Sequence, residues 1–466
     1  MTDSSAAANF SVLPLPPALL NNLESLGYRK MTPIQAESLP SLLAGRDVIG
    51  QARTGSGKTA AFGLALLAGL DAAARQVQGL VLCPTRELAD QVAGELRRLA
   101  RSLPNIKVLT LCGGAPFGPQ LASLSHGAHL VVGTPGRIDE HLRKGGLQLD
   151  GLGMLVLDEA DRMLDMGFRE AIEGIVAQTP STRQTMLFSA TFDEVVRAIA
   201  AGLMRDPLTV TVAEGHDQRT IREHFHEVAD EQARFQALRR LLLQYQPESS
   251  VVFCNTRREV EEVANALSSM GFSALALHGE LEQKDRDRRL ILFANRSASI
   301  LVATDVAARG LDVDALDAVF NYRIANDLEV HIHRVGRTGR AGSTGRAFTL
   351  FTPGEAERML RLSELLGRAL TEEPLPTPDA LDAKPAGPPM VTLQIGAGKR
   401  QKLRPGDILG ALTGDGGLAG AQIGKINVLD QSSYVAVNRQ VAQQALAQLG
   451  RGKIKGRSFR ARKVSS

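Results

Sequence analysis

Val48-Ile49-Gly50-Gln51-Ala52-Arg53-Thr54-Gly55-Ser56-Gly57-Lys58-Thr59, running on into a helical pattern over residues 60–70, is the stretch on which the fold turns. An apolar run that reads as a buried strand gives way to a Gly-rich loop and then to a helix. Strand, loop and helix in that order open a βαβ unit, and with it a parallel sheet. Glycines let backbone N–H groups turn inward around phosphate oxygens, and the start of the following helix favours negative charge. Lys58 is placed to reach the β- and γ-phosphates of a nucleotide, and Thr59 offers its hydroxyl to Mg2+. The usual pattern opens with glycine; Ala52 stands there, at a position that needs only a small residue. Ala52, Arg53, Thr54, Gly55, Ser56, Gly57, Lys58 and Thr59 are the candidate phosphate contacts. A chance Gly-rich turn is the competing reading, and the flanking strand and helix argue against it.

The same alternation extends along the chain. Leu80-Val81-Leu82-Cys83, Leu130-Val131-Val132, Met154-Leu155-Val156-Leu157 and Thr185-Met186-Leu187-Phe188 are apolar runs separated by amphipathic helical stretches. Val251-Val252-Phe253-Cys254, Ile300-Leu301-Val302-Ala303 and Ala318-Val319-Phe320 repeat the pattern. Runs with no polar alternation belong to strands covered on both faces, so two tandem α/β domains with parallel sheets are expected. Ligands in such sheets bind beyond the C-terminal strand ends. Two breaks set the boundaries. Asp206-Pro207 ends a helical pattern and polar residues follow, while residues 371–390 carry six prolines in twenty positions, the composition of an extended, semi-rigid connector. The chain is thereby divided into 1–208, 219–370, a linker at 371–390, and a tail domain at 391–466.

At 466 residues, 44% hydrophobic and 22% charged, the chain is too long for one core and too apolar for general disorder. No apolar run approaches the ~20 residues of a membrane span. Residues 1–9 have neither the basic nor the apolar region of a secretory signal, so a cytoplasmic protein is expected. Cys83, Cys112 and Cys254 match no metal-binding spacing and are read as reduced, buried thiols. The net charge of +4 conceals an asymmetry: residues 391–466 hold 13 Lys and Arg against 3 Asp and Glu, leaving the rest of the chain net acidic. A basic tail fits a polyanion partner, or a merely solubilising face.

Asp158 and Glu159 close the apolar run Leu155-Val156-Leu157. There Asp158 can hold Mg2+ through water, and Glu159 can polarise an attacking water. Asp161 fits either a catalytic role or that of an acidic partner to a helix N-terminus.

Asp158-Glu159-Ala160-Asp161 spells the signature of the DEAD-box RNA helicases, and the chain resembles that family motif by motif, in fixed order, from Phe10 to Arg340. Phe10, Gly27-Tyr28 and Thr32-Pro33-Ile34-Gln35 resemble its adenine-recognising motif, with Gln35 reading the adenine edge and Tyr28 stacking on it. Met31 stands where proline is more usual. Pro84-Thr85-Arg86-Glu87-Leu88, Gly113-Gly114 and Thr134-Pro135-Gly136-Arg137 resemble its first set of RNA-backbone motifs, carried by Arg86, Gly114, Thr134 and Arg137. Ser189-Ala190-Thr191 resembles the element that couples hydrolysis to strand separation, through Ser189 and Thr191. Cys254-Asn255-Thr256, Gln283-Lys284-Asp285-Arg286 and Thr304 resemble the second RNA set, with Thr256, Gln283, Arg286 and Thr304 as contacts. Gly310, Asp312, Arg337 and Arg340 would close on the nucleotide from the second domain, the two arginines as fingers on the transferring phosphoryl. The resemblance implies two RecA-like domains, ATP and Mg2+ as ligands, and an RNA-dependent ATPase that pries duplexes open locally. ATP and RNA would each favour the closed shape that the other needs.

The tail reads as β–α–β–β–α–β: strands at 391–395, 425–428, 434–437 and 459–464, and helices at 405–412 and 440–449. It resembles a small α+β RNA-recognition-motif fold, which usually stacks bases on aromatics of its two central strands. Here the first strand has none, and the third has only Tyr434, which serves as readily for packing. Recognition is therefore expected from Lys399, Arg400, Lys402, Arg404, Lys453, Lys455, Arg457, Arg460 and Arg462. Arg404-Pro405-Gly406-Asp407-Ile408-Leu409-Gly410 and Gly452-Lys453-Ile454-Lys455-Gly456 resemble the tail of one bacterial subfamily of these helicases. That resemblance implies a monomer whose tail grips a hairpin of large-subunit (23S) rRNA and delivers the core to pre-ribosomal particles during ribosome assembly. No membrane and no DNA partner is expected. An ATP-gated clamp that binds RNA without separating strands fits the same motifs; a DNA helicase fits the adenine motif and the tail poorly.

Overall fold

Seven parallel strands carry the first of two units, Met1–Gly215 and His216–Ser466. In this computed structural model the described residues are 9–52, 55–192, 194–212, 221–308, 316–339, 344–377, 383–414 and 417–464. The strands are β1 (Val48–Gln51), β2 (Gly79–Leu82), β3 (Val108–Leu111), β4 (Leu130–Gly133), β5 (Met154–Asp158), β6 (Gln184–Ser189) and β7 (Leu208–Thr211). They lie in the order β3-β4-β2-β5-β6-β1-β7. Successive side chains of a strand point to opposite faces, and the apolar runs divide accordingly. Val48, Val81, Val132, Val156 and Met186 enter one buried cluster, while Ile49, Leu80, Leu82, Val131 and Leu187 enter the other.

The second unit repeats the plan with six parallel strands: β8 (Ile221–Glu227), β9 (Ser250–Phe253), β10 (Ala274–Leu277), β11 (Ile300–Ala303), β12 (Ala318–Asn321) and β13 (Gly345–Phe351). Their order is β10-β11-β9-β12-β13-β8. A fully buried cation pins this domain together. Arg234, on helix Glu231–Tyr245, donates from Nη1 to the carbonyls of Tyr322 (2.8 Å) and Leu350 (2.9 Å), and from Nη2 to Glu355 (2.5 Å). Guanidinium serves here because its fork can reach three acceptors at once.

The tail is a four-stranded antiparallel sheet of β14 (Met390–Ile395), β15 (Ile423–Val428), β16 (Ser433–Asn438) and β17 (Ala461–Lys463), in the order β15-β16-β14-β17. Helices Pro405–Thr413 and Ala442–Arg451 supply the two helical elements of the expected β–α–β–β–α–β order. The Pro-rich segment before it is tied down at both ends. Glu372 bridges Phe225 in parallel, the Glu373 N–H donates to the Phe225 carbonyl (2.8 Å), and Leu375 packs on the domain core. Beyond it, Arg439 donates from Nε to the Pro388 carbonyl (2.6 Å) and from its backbone N–H to Pro389 (3.0 Å). A composition that predicts reach thus yields, in its described residues, a strap.

Candidate functional site

Strand order sorts the motifs of the first unit into two groups. Phosphate loop, DEAD sequence and Ser189-Ala190-Thr191 follow β1, β5 and β6, which are neighbours in the sheet. Arg86, Gly114 and Thr134 lie beyond β2, β3 and β4, which fill the adjoining edge. All are at C-terminal strand ends, where open α/β sheets bind ligands.

At the first group, Gly57 opens helix Lys58–Ala68 with φ of 93°, a left-handed backbone for which glycine is suited. A Cβ there would stand 2.5 Å from Gln35 Nε2, and Gln35 donates to the Gly57 carbonyl at 3.0 Å. Its other side-chain atom, Oε1, accepts from the Thr32 N–H (2.9 Å), closing a capping box at helix Pro33–Leu43. Gln35 therefore ties the start of helix Pro33–Leu43 to the last glycine of the Gly-rich loop. Phe10, 4% exposed, meets Tyr28 edge-on at 6.1 Å. Tyr28 donates to Glu95 (2.7 Å) and accepts from Arg98 (2.8 Å), and burial, with Glu95, pushes its hydroxyl up to about 12.

Lys58 Nζ and Asp158 Oδ1 are both buried with no hydrogen-bond partner within the protein. Burial pushes the Asp158 carboxyl up to about 6, Lys58 opposing and Glu159 adding to the rise. Buried polar atoms left without partners are costly and call for one. Here an unpartnered cation and an unpartnered carboxylate oxygen fit a triphosphate and a metal ion. Among the described residues no group of three or more His, Cys, Asp or Glu could cage an ion alone. Asp158, with its unpartnered Oδ1, and Thr59 are the candidate oxygen donors to a metal ion.

Glu159 occupies the turn from β5 into helix Ala160–Asp165 with φ of 53°, an uncommon backbone for a side chain of its size. Its carboxylate meets Arg162 Nη1 at 3.0 Å, both side chains buried. Asp161, left open between two roles by sequence, turns away from solvent to the loop after β6. Its Oδ2 accepts from the N–H of Ala190 (3.1 Å), the N–H of Thr191 (3.0 Å) and the Thr191 hydroxyl (3.1 Å). Its own N–H donates to Ser189 Oγ (3.3 Å). Burial would raise Asp161, but the Thr191 N–H with the Lys58 and Arg162 charges outweighs it, and the carboxyl lies below its ordinary value. The two motifs are thereby joined by charge-assisted bonds.

In the second group the Arg86 guanidinium lies where a Cβ on Gly114 would stand, and its Nε and Nη1 are buried without a partner in the protein. Thr134 precedes helix Pro135–Arg143. Arg137 donates to the Ala115 carbonyl and to Gln120 Oε1, each at 3.0 Å, and pairs with Glu140. Three sequence-distant motifs thus meet around the Gly113-Gly114 turn.

The second unit sorts its motifs in the same way. Thr256, Gln283 and Thr304 follow β9, β10 and β11, one edge of the sheet. Thr256 caps helix Arg257–Ser269, Gln283 donates to Asp287 (2.6 Å), and Arg286 donates to the Ala307 carbonyl (3.1 Å). Arg334 was not singled out by sequence, yet it is the hub here. Nε and Nη2 grip Asp305 in a fork (2.6 and 2.7 Å), and the fork also reaches Asn255 (3.0 Å) and the Arg323 carbonyl (2.6 Å). Its sequence signal is its place in His333-Arg334-Val335-Gly336-Arg337, a stretch that resembles a nucleotide-closing motif of the family. Arg337 is buried at 6% exposure. Arg53, Thr54, Gly310, Asp312 and Arg340 lie outside the described residues.

On the tail, Lys399, Arg400, Lys402, Arg404, Lys453, Lys455, Arg457, Arg460 and Arg462 are all exposed. Lys455 Nζ donates to the Lys402 carbonyl (2.9 Å) and pairs with Asp407 (3.3 Å), so two basic stretches far apart in sequence form one surface. Arg462 is partly engaged, its Nε donating to Gln394 (3.0 Å).

Comparison with known proteins follows this division. Residues 32–199 match the DEAD/DEAH box helicase family, 233–342 the helicase conserved C-terminal domain, and 392–463 the DbpA RNA binding domain. ATP-dependent RNA helicase DbpA of Escherichia coli is 54% identical, over 96% of this chain and 97% of its own length. DEAD-box ATP-dependent RNA helicase CshA of Bacillus cereus is 42% identical over 79% of this chain and 70% of its own. Among solved structures, Saccharomyces cerevisiae Dbp5 bound to RNA and ADP BeF3 superposes with a TM-score of 0.71 at 29% identity, covering 78% of this chain and 95% of that one.

Proposed function

Because this chain belongs to the DEAD-box ATP-dependent RNA helicases and ends in a DbpA RNA binding domain, we propose that it opens short RNA helices in large-subunit (23S) rRNA during ribosome assembly, its tail choosing the target. The observation that carries this reading is the single basic surface formed by residues 399–404 and 453–460, held together by Lys455. A surface of exposed cations with few aromatics suits the phosphates of folded RNA better than the bases of an extended strand.

In the core, Lys58 binds the β- and γ-phosphates, and Gln35 with Tyr28 selects adenine. Thr59 and Asp158 would hold Mg2+, which would neutralise charge on the phosphate oxygens. Glu159 orients and deprotonates the attacking water once its carboxylate is released from Arg162. Arg337 and Arg340 stabilise charge on the transferring phosphoryl in the ATP- and RNA-bound state. Asp161 carries the state of the phosphate pocket to Ser189 and Thr191. Arg86, Gly114, Thr134, Arg137, Thr256, Gln283, Arg286 and Thr304 hold one strand by its backbone, so the core itself has little sequence preference. The enzyme acts as a cytoplasmic monomer on pre-ribosomal RNA.

The test is steady-state ATPase with no RNA, with unrelated RNA, and with an rRNA fragment containing the peptidyl-transferase hairpins. It is run on the intact chain and on a variant with Lys399→Glu, Lys402→Glu and Lys453→Glu. Strong stimulation by the rRNA fragment alone, lost in the variant, is the expected result. Equal stimulation by every RNA would leave the helicase but remove the ribosomal target.

A further inference from the structure

The two faces of the tail sheet have different neighbours. Val391, Leu393, Ile395, Val435 and Val437 point into the core shared with the tail's own helices. Thr392, Tyr434 and Ala436 alternate with them onto the opposite face, the one that an RNA-recognition fold ordinarily presents to bases. Here that face is closed: Thr392 is 0%, Tyr434 6%, Ala436 1% and nearby Val464 6% exposed.

What closes it is the second RecA-like domain. Thr392 Oγ1 accepts from Asn295 Nδ2 at 3.1 Å and lies 2.7 Å from Ser297 Oγ. The Met390 N–H donates to the Arg296 carbonyl at 3.3 Å. Tyr434 and Val464 join the buried apolar cluster that includes Phe293 and Ala298 of that domain. A hydrogen bond with both partners buried, Asn295 to Thr392, a half-buried one beside it with Ser297, and apolar groups around them give this contact the character of an interior rather than a chance touch. It also accounts for the lack of stacking aromatics: a face that must fit another protein surface cannot keep rings free for bases.

The place of contact matters. Asn295, Arg296 and Ser297 form the turn that ends helix Gln283–Ala294, and that helix begins at Gln283 and Arg286. Its 12 residues make a rod about 18 Å long at ~1.5 Å per residue. We propose that the tail is a rigid mount rather than a tethered domain: its sheet face is committed to the second core domain, and hairpin RNA is held on the loops away from that face. The mount then fixes the distance from the hairpin to the core's RNA groove. This rests on the tail being the RNA grip proposed above. A fixed spacing raises the effective concentration of one particular duplex at the core, which a loose tether would spread over many.

The test uses the full chain with Ser297→Cys and Thr392→Cys, whose native cysteines are all buried. Oxidised glutathione should close the new disulfide, and the locked protein should bind a hairpin rRNA fragment within about two-fold of its reduced form. Locked protein should also open a duplex at the same spacing from the hairpin. Failure of the bond to form, or a loss of hairpin affinity beyond about ten-fold on locking, overturns the proposal, since the face would then be free or needed by RNA. If the bond forms but neither form prefers the hairpin to unrelated RNA, the mount stands and the targeting role of the tail falls. A second variant, Ser297→Arg, forces the faces apart from the core side. It should leave hairpin affinity unchanged and lower duplex opening beside the hairpin about ten-fold; unchanged opening would refute the mount.

Discussion

Glu159 illustrates how much one residue can combine. It is held in a left-handed turn at the end of β5, buried, with its carboxylate against Arg162. Held there, the carboxylate has to leave Arg162 before it can reach a water, which fits an enzyme whose hydrolysis waits for RNA. Replacing Glu159 by Gln keeps shape and hydrogen bonding but removes the proton acceptor. Turnover should fall by about 10²–10⁴-fold, the usual range for a lost general base. ATP and RNA should remain bound as a stable ternary complex, visible by co-elution of labelled RNA with the protein. Near-normal ATPase in this variant would remove Glu159 from the chemistry.

Helix Glu231–Tyr245 shows the same economy at the level of an element. Its Arg234 crosses beneath the ends of β12 and β13, and Glu355 is the carboxylate closest to its charge. Burial alone would raise Glu355, yet its hydrogen bonds from Arg234 and the Thr352 N–H outweigh that and hold it below its ordinary value of 4.5. A carboxyl depressed on folding stabilises above its unfolded pKa, and the gain is lost as pH falls through the lower, folded value. Glu355→Gln should therefore destabilise the second domain by about 2–3 kcal/mol at neutral pH, with Glu231 as the remaining partner. The deficit should shrink as pH drops below 4.5. Urea unfolding at pH 7 and near pH 3.5 would measure both; a deficit that stays constant with pH would place the effect in packing instead.

Across the whole molecule, the candidate RNA contacts of the core and of the tail differ in chemistry. In the core, Arg86, Thr134, Arg137, Gln283, Arg286 and Thr304 are half-buried, whereas the tail offers exposed cations. Cations on phosphates displace counterions, so tail binding should be the more salt-sensitive. Substituting Lys399 and Lys453 with Ala together should lower the slope of log affinity against log salt by roughly 1.4–1.8, the value for two phosphate contacts. Fluorescence anisotropy on the rRNA hairpin across a salt series gives that slope directly. A slope that does not change would mean these side chains face solvent rather than RNA.

Sequence alone determined the kinds of groups present and their local setting. Glycines before Lys58, carboxylates after an apolar run, and a basic, proline-bordered tail are chemical facts readable without a fold, because each depends on a few neighbouring residues. Even the tail's order of strands and helices was legible, since periodicity is local. The grouping of motifs was not. That β5, β6 and β1 stand side by side while β3, β4 and β2 fill the other edge follows from sheet order, which brings together residues more than a hundred positions apart. The same holds for Asp161, whose partners are 29 and 30 residues away, and for Arg334 with Asn255, 79 apart. Tyr434 could not be assigned from its neighbours because its role depends on the far side of a sheet. Only the tertiary structure placed Thr392 against Asn295 and Ser297, and so closed a sheet face that such folds ordinarily present to RNA.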